Sequence, residues 1–433
     1  MLHRSLLTAV AVMLAAVAAA TAQAPPAEPE DAKTTLETLK QRNRDLERRL
    51  TELESKVGAG AEQQQMQREE IRKLIDQQIA DNKKLLTPDW LENLKFSGDL
   101  RLRYEFRRRD SGLQNDESRG RFRLRFGFEK AWPNEDLAVG FRLASGSSND
   151  PATTNQTFQM FQKTPVWFDR AYAKWAPKAV KGLTVTAGKM ANPWETSDMI
   201  WDPDVNPDGI WVQYEVPGLG PFTPFIGAGV FQLYAPEASV RPNSDLMSYA
   251  IGNRFQITKD VRWTLAANFF EYSNLDSALA GAAFAGRGGN TNIRDSRFHM
   301  FDLSNKVEFT AFKLPWTAYV DWVQNNGNNL SAHRNTGFAV GAKVGQNKKK
   351  GDWSGRYAWK RLEADAVPDY FAESDFGWNT FTNRQGHQLG VDYNITDNMT
   401  AGVSLFLTQP IKAGGANIME DRFTVQADLV WKF

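Results

Sequence analysis

Asp421 to Phe433 reads Asp-Arg-Phe-Thr-Val-Gln-Ala-Asp-Leu-Val-Trp-Lys-Phe. Taken at every second position it gives Phe423, Val425, Ala427, Leu429, Trp431 and Phe433. The interleaved set, Arg422, Thr424, Gln426, Asp428, Val430 and Lys432, is polar with one exception. Side chains of a strand point alternately to opposite faces, so this stretch predicts a strand with one apolar and one wet face. A soluble sheet carries the same alternation. The distinguishing feature is the aromatic at the last position, with a second two residues earlier.

The same period of two runs back to Lys95. Leu100, Leu102, Tyr104 and Phe106 alternate with Arg101, Arg103, Glu105 and Arg107; Phe122, Leu124, Phe126 and Phe128 alternate with Arg121, Arg123 and Arg125. After the Pro133–Asp136 turn, Leu137, Val139, Phe141 and Leu143 alternate with Arg142 and small residues. A face that carries arginine at three successive positions meets water. In a closed barrel that face is the lumen, and the aromatic face meets lipid. Sixteen such segments fit between 95 and 433, with fourteen or eighteen as the alternatives. Connections after even-numbered segments are short (133–135, 177–182, 217–220), whereas several after odd-numbered ones are long (147–165, 191–208, 272–296, 364–385). Trp132, Trp175, Trp316, Trp322, Trp353, Trp359, Tyr393 and Trp431 fall near segment ends, as interfacial girdles require.

The amino-terminal part obeys another grammar. Residues 1–22 combine His3 and Arg4 with an apolar run and an Ala20-Thr21-Ala22 ending, the pattern of a cleaved signal peptide. A linker at 23–33 leads into a helical segment at 34–94. There Leu36, Asn43, Leu50 and Val57 occupy one heptad core position and Leu39, Leu46 and Leu53 the other, which predicts a short coiled coil. Asn43, the polar core residue, is of the type that sets register and oligomer number. A single solvated helix is the alternative. The chain has no cysteine, which leaves no disulfide framework, and a net charge of +1, which argues against a nucleic-acid partner.

With these residues in view, the terminal strand resembles that of bacterial outer-membrane barrels, and Phe433 with Trp431 resembles their signal to the barrel assembly machinery. Over residues 95–433 the chain resembles the trimeric general porins of Gram-negative outer membranes, most closely the "Putative porin" family. The patches that carry this are Phe168–Trp175, Ala187–Trp194 and Trp201–Gly209. The coiled-coil prefix departs from the general porins and is similar to the periplasmic extensions of solute-specific porins. The resemblance implies an all-β transmembrane fold in outer-membrane lipid, a homotrimer and a third outer loop folded into the pore, and the parity of short and long connections puts both termini in the periplasm.

The expected function is passive diffusion of small hydrophilic solutes and ions through a water-filled channel. Arg101, Arg103, Arg107, Arg121, Arg123, Arg125, Arg142 and Arg170, with Lys174, form the expected basic wall. Asp198, Asp202 and Asp204 are the candidate acidic groups of the constriction loop. The bland alternative is that these arginines solvate a wet wall and pair with Glu105, Glu129 and neighbours. A calcium site at Asp202, Asp204 and Asp208 with Asn206 finds no fitting loop motif. Inward Tyr172 and Tyr319 are weak candidates for a sugar track. No metalloprotease, hydrolase or phosphate-loop motif occurs. An outer-membrane phospholipase needs an exposed serine beside a histidine, and nothing pairs His387 with Ser404. The expectation is therefore a non-enzyme without cofactor or metal. The competing structural reading is a tether to the cell wall, with peptidoglycan as partner.

Overall fold

The computed structural model describes residues 37–49, 68–78, 91–109, 115–147, 150–235, 242–275, 289–290, 298–327, 334–377, 382–411 and 420–433. The expected signal peptide and linker lie outside these residues, as do heptad positions Leu36, Leu50, Leu53 and Val57. Residues 37–49 and 68–78 are helical; in the first, Leu39 and Leu46 are partly covered and Asn43 is exposed. The chain divides into two compact units, residues 1–92 and 93–433.

The second unit is one antiparallel sheet. It begins with β1 (Leu94–Arg109), β2 (Glu117–Trp132) and β3 (Leu137–Ala144). Two residues of the next loop, β4 (Gln156–Thr157), pair with β2. Then come β5 (Trp167–Trp175), β6 (Leu183–Lys189), β7 (Asp208–Glu215), β8 (Phe222–Tyr234) and β9 (Ser244–Thr258). β10 (Val261–Ser273), β11 (His299–Ala311), β12 (Leu314–Asn325) and β13 (Thr336–Gly345) follow. β14 (Trp353–Leu362), β15 (Arg384–Asn394), β16 (Met399–Pro410) and β17 (Arg422–Lys432) complete the wall. Setting β4 aside, the described residues contain sixteen wall strands. β1 pairs with both β2 and β17, so the sheet closes on itself. The result is a sixteen-stranded antiparallel barrel, wide enough for an aqueous interior.

Closure rests on the carboxy-terminal stretch. Its register runs from Asp99 opposite Lys432 to Arg109 opposite Arg422. Gly98 N donates to the Phe433 carbonyl at 2.8 Å, and Phe433 N donates to the Gly98 carbonyl at 3.1 Å. The Phe433 ring lies over Gly98, where any side chain would collide with it.

Turn chemistry separates the two ends. Connections such as Pro133–Asp136 and Phe312–Lys313 all lie at one end, and the long loops lie at the other. Phe312 and Lys313 have φ of 54° and 63°, the left-handed pair that a two-residue hairpin turn demands. Trp132, Trp175, Trp316, Trp353, Tyr393 and Trp431 point outward near the short-turn end. Along the outer wall, large apolar side chains such as Ile226 and Ile251 are each 56 % exposed, as a lipid-facing surface requires.

Half of the interior is apolar. Trp211, Phe231, Phe270, Met300 and Val323 project inward from β7 to β12 and form a core with Met190, Trp194, Met199, Ile200 and Trp201 of the loop between β6 and β7. Inward-facing Gly227 and Gly229 leave room for the Trp211 indole, which occupies the space their side chains would fill. Trp194 sits edge-on to Trp201, Phe270 and Phe231, with ring centroids 4.5, 5.0 and 5.2 Å away. Such tilted pairs add to what burial alone supplies.

Deleting Phe433 removes both backbone bonds to Gly98, whereas Phe433→Ala keeps them. We expect the deletion to lower the stability of the refolded barrel by about 1–3 kcal/mol. The alanine variant, losing only a lipid-facing ring, should lose less. Urea unfolding in lipid vesicles measures both, and an equal loss would assign the seam's strength to the ring.

Candidate functional site: the inner wall and two inward loops

β1 and β2 set arginines side by side, with Arg101 opposite Arg123 and Arg103 opposite Arg121. Like charges at such spacing persist only with compensation. Asp99 accepts from Arg123 Nε at 2.9 Å and from Arg125 Nε at 2.7 Å. Asp428 of β17 takes Arg103 in a two-point contact at 2.7 and 2.8 Å. Buried Glu105 pairs with Arg107 at 2.8 Å, Arg119 at 2.6 Å and Arg121 at 3.5 Å. On β5, Asp169 pairs with Arg142. Arg101 and Arg170 differ: Arg101 donates to Asn155 Oδ1 at 2.5 Å and Arg170 to Asn206 Oδ1 at 2.7 Å. Among the described residues neither has a carboxylate in ion-pair contact. Lys174 is exposed, nearer the short-turn end.

The loop at 190–207 turns into the lumen because its aromatic and aliphatic side chains have the apolar half of the wall to cover. Its polar groups then tie it down on several sides. Glu195 bonds Arg254 at 3.0 Å and Lys306 at 2.8 Å. Asp198 pairs with Lys360 of β14 at 2.7 Å. Asn206 Nδ2 donates to Asp169 Oδ1 at 2.9 Å. Asp204 lies 3.6 Å from Arg125 and accepts from Thr154.

A second loop, 363–377, reaches inward from β14 and meets the first. Asp202 N donates to the Phe371 carbonyl at 2.6 Å, Glu373 N to the Asp198 carbonyl at 3.0 Å, and Ser374 N to Asp202 Oδ2 at 2.9 Å. The Trp201 and Phe371 rings stack at 5.0 Å. A single helical turn, Ser374–Gly377, then carries Asp375 to Arg103 at 3.0 Å. The two loops form one hydrogen-bonded chord from the β6–β7 side to β1.

The carboxyl groups of this chord are sorted by their neighbours. Burial, with the charge of Asp198 beside it, pushes Glu373 up to about 8. Burial and the nearby Glu373 and Asp204 also push Asp202 well above the usual carboxylate range. Burial acts in the same direction on Asp375, whose side chain is 17 % exposed, yet Arg103, Arg121 and Arg107 hold it well below that range. Asp198 is likewise held low against its burial by Lys360.

Of the three acids expected to face the arginines, Asp204 reaches the β2 arginines, Asp198 faces β14, and Asp202 is buried in the chord. Asp375 does face the arginines and was not among the expected groups. Its loop could have been noticed: Ala366, Val367, Tyr370, Phe371, Ala372 and Phe376 are more apolar material than a solvated loop has use for. Tyr172 donates to Glu129 at 2.7 Å. Tyr319 lines a cavity of about 260 Å³ with Glu195, Ser197, Asp198 and Lys306. Asp208 pairs with Lys189 at 2.7 Å, away from Asp202. Among the described residues no group of three or more acidic or histidine side chains is arranged to hold a metal ion. His387 bonds the Tyr357 hydroxyl at 2.9 Å, and Ser404 is buried against Arg356.

A profile of the family described as "Putative porin" matches residues 111–307 and 290–433. No curated protein sequence matches the chain. Among solved structures, Pseudomonas putida OprB at high pH is similar at a TM-score of 0.51 and 11% identity, covering 79% of this chain and 94% of its own. An anion-selective porin from Comamonas acidovorans has a TM-score of 0.49 at 12% identity, covering 78% of this chain and 99% of its own. Salmonella typhi OmpF in complex with daunomycin scores 0.48 at 10% identity, covering 78% and 97%. At these identities the likeness to OprB speaks for the fold alone. The closed barrel with its inward loops and the family match over most of the chain agree, and the protein belongs to the "Putative porin" family of Gram-negative outer-membrane channel proteins.

Proposed function

We propose that the protein is a passive diffusion pore for small hydrophilic solutes and ions, with selectivity set where the loop chord meets the basic wall. The observation that carries this reading is the charge arrangement there. Asp204 and Asp375 stand on the chord, the arginines of β1 and β2 stand on the wall, and Arg101 and Arg170 add positive charge that no carboxylate contact among the described residues cancels. Opposed charges across a narrow, low-dielectric passage orient polar solutes and weight ions by sign. We place the solute path along the β1–β5 and β15–β17 wall, opposite the apolar core. Both ends of the barrel chain lie at the short-turn end, which fits periplasmic termini. The family also supports a homotrimer, to which the heptad around Asn43 contributes register, and a role for Trp431 and Phe433 in recognition by the barrel assembly machinery.

Purified protein in a planar bilayer should give large, stable conductance steps arriving in threes. Folded protein that stays silent would remove the channel reading. Replacing Arg121, Arg123 and Arg125 with Ser also strips Asp99 of its counter-charges. Under a salt gradient the cation-to-anion permeability ratio should rise at least about twofold, equivalent to ~0.4 kcal/mol of altered potential. An unmoved reversal potential would sink the basic-wall assignment.

The chord should also respond to pH. Glu373 has a folded-state value of about 8, above the ordinary value of 4.5 that it regains when the loop is released. A raised carboxyl favours the docked loop fully below its released value, and the benefit is lost as pH rises through about 8. Open-channel current noise should therefore grow between mildly acidic and alkaline buffer, and Glu373→Gln should flatten the response. Equal noise at both pH values in the wild-type pore would contradict this.

A further inference from the structure

Under the loop at 195–198, the inner wall holds a polar cluster that the channel reading does not use. Asn268 on β10, Asp302 on β11 and Asp321 on β12 are each 0 % exposed. The register sets Asn268 opposite Asp302, and Asp321 opposite Ser304 one step along. Asn268 Nδ2 donates to Asp302 Oδ2 at 2.6 Å and to the Glu195 carbonyl at 3.0 Å. Ser197 N and Thr196 Oγ1 donate to Asp321 Oδ2 at 2.7 and 3.4 Å. The two carboxyl groups are themselves within hydrogen-bond reach of each other.

Four buried oxygens are left over. Among the described residues, Oδ1 of Asp302, Oδ1 of Asp321, Oδ1 of Asn268 and Oγ of Ser197 have no hydrogen-bond partner. The adjacent cations are engaged elsewhere, since Lys306 and Arg254 both bond Glu195. Two touching carboxylates, fully buried and without a counter-charge, are strongly disfavoured. One shared proton would serve the two carboxyl oxygens and leave Asn268 Oδ1 and Ser197 Oγ orphaned. One hard cation would supply both carboxyl groups with a counter-charge, and Asn268 and Ser197, each hydrogen-bonded to one of them, carry the neutral oxygens beside it.

We propose that Asp302, Asp321, Asn268 and Ser197 form a binding site for a hard divalent cation of the calcium class. The donors are all oxygen, without the nitrogen or sulfur that a zinc-type ion prefers. Two carboxylates match a double positive charge. The site is poorer in acids than a three-carboxylate cluster, a kind of group not found among the described residues, and neutral oxygens and water complete the shell. Ser197 lines the cavity of about 260 Å³ together with Thr196, Ser304 and the Glu195–Lys306 ion pair, and water and the ion enter from that side. Its ligands come from three wall strands and the inward loop, so the ion fastens residues 195–198 to the wall whatever solute the pore passes.

The test uses the full chain, refolded into a zwitterionic detergent free of anionic lipid and stripped with a calcium chelator. Titration calorimetry with calcium chloride at neutral pH should find one ion per chain. The temperature at which the folded band unfolds on a gel should rise with calcium and not with sodium chloride of the same ionic strength. Ser197→Ala removes one neutral ligand and should weaken binding about tenfold. The Asp302→Asn, Asp321→Asn double variant should lose binding altogether; if it does not fold, the Ser197→Ala titration decides. No uptake by the wild-type chain, or affinity unchanged in Ser197→Ala, overturns the site and leaves a shared proton between the two acids.

Discussion

The membrane supplies no water to the backbone, and the rest of the architecture depends on that. Every N–H and C=O of a strand at bilayer depth must find a partner on a neighbouring strand, so a sheet can span only if its first strand meets its last. Here that means pairing Leu94–Arg109 with Arg422–Lys432 across more than three hundred residues of chain, as the 325-residue separation of Arg103 and Asp428 illustrates. Once the seam closes, the apolar positions of every strand face lipid together, and the polar positions are confined to one enclosed space. The interior is then a small volume crowded with charge, and most of its organisation follows from pairing those charges.

The lumen resolves this crowding asymmetrically. On the β7–β13 side aromatic and aliphatic side chains form a core with those of the inward loop, interrupted by the buried polar Asn268, Asp302 and Asp321. On the β1–β5 side the wall is guanidinium and carboxylate. The loop chord is the boundary between the two, apolar on one flank and acidic on the other. Trp201 and Asp204, three positions apart in sequence, belong to different halves of the channel.

Much of this was legible in the residues. The period of two predicts sixteen wall strands, the number found among the described residues, because alternation is a local property that lipid on one side and water on the other impose on every strand. The inward direction of Arg101, Arg103, Arg121, Arg123 and Arg125 follows from the same alternation. Their partners do not. Asp428 and Asp375 reach Arg103 through barrel closure and loop docking, which leave no periodic trace in sequence. Asp198 and Asp202 looked like pore acids by composition, but their surroundings turned one toward Lys360 and buried the other under Ser374.

A cylinder of hydrogen-bonded strands resists stretching along its bonds yet flattens readily, since each ladder acts as a hinge. The chord built from 190–207 and 363–377 spans the interior from β6–β7 through β14 to β1, fastened by Asn206, Asp198 and Asp375. A strut of that kind fixes the shape of the cross-section. The cross-section is then held by loop contacts to β5, β14 and β1 as well as by the ladder of the wall.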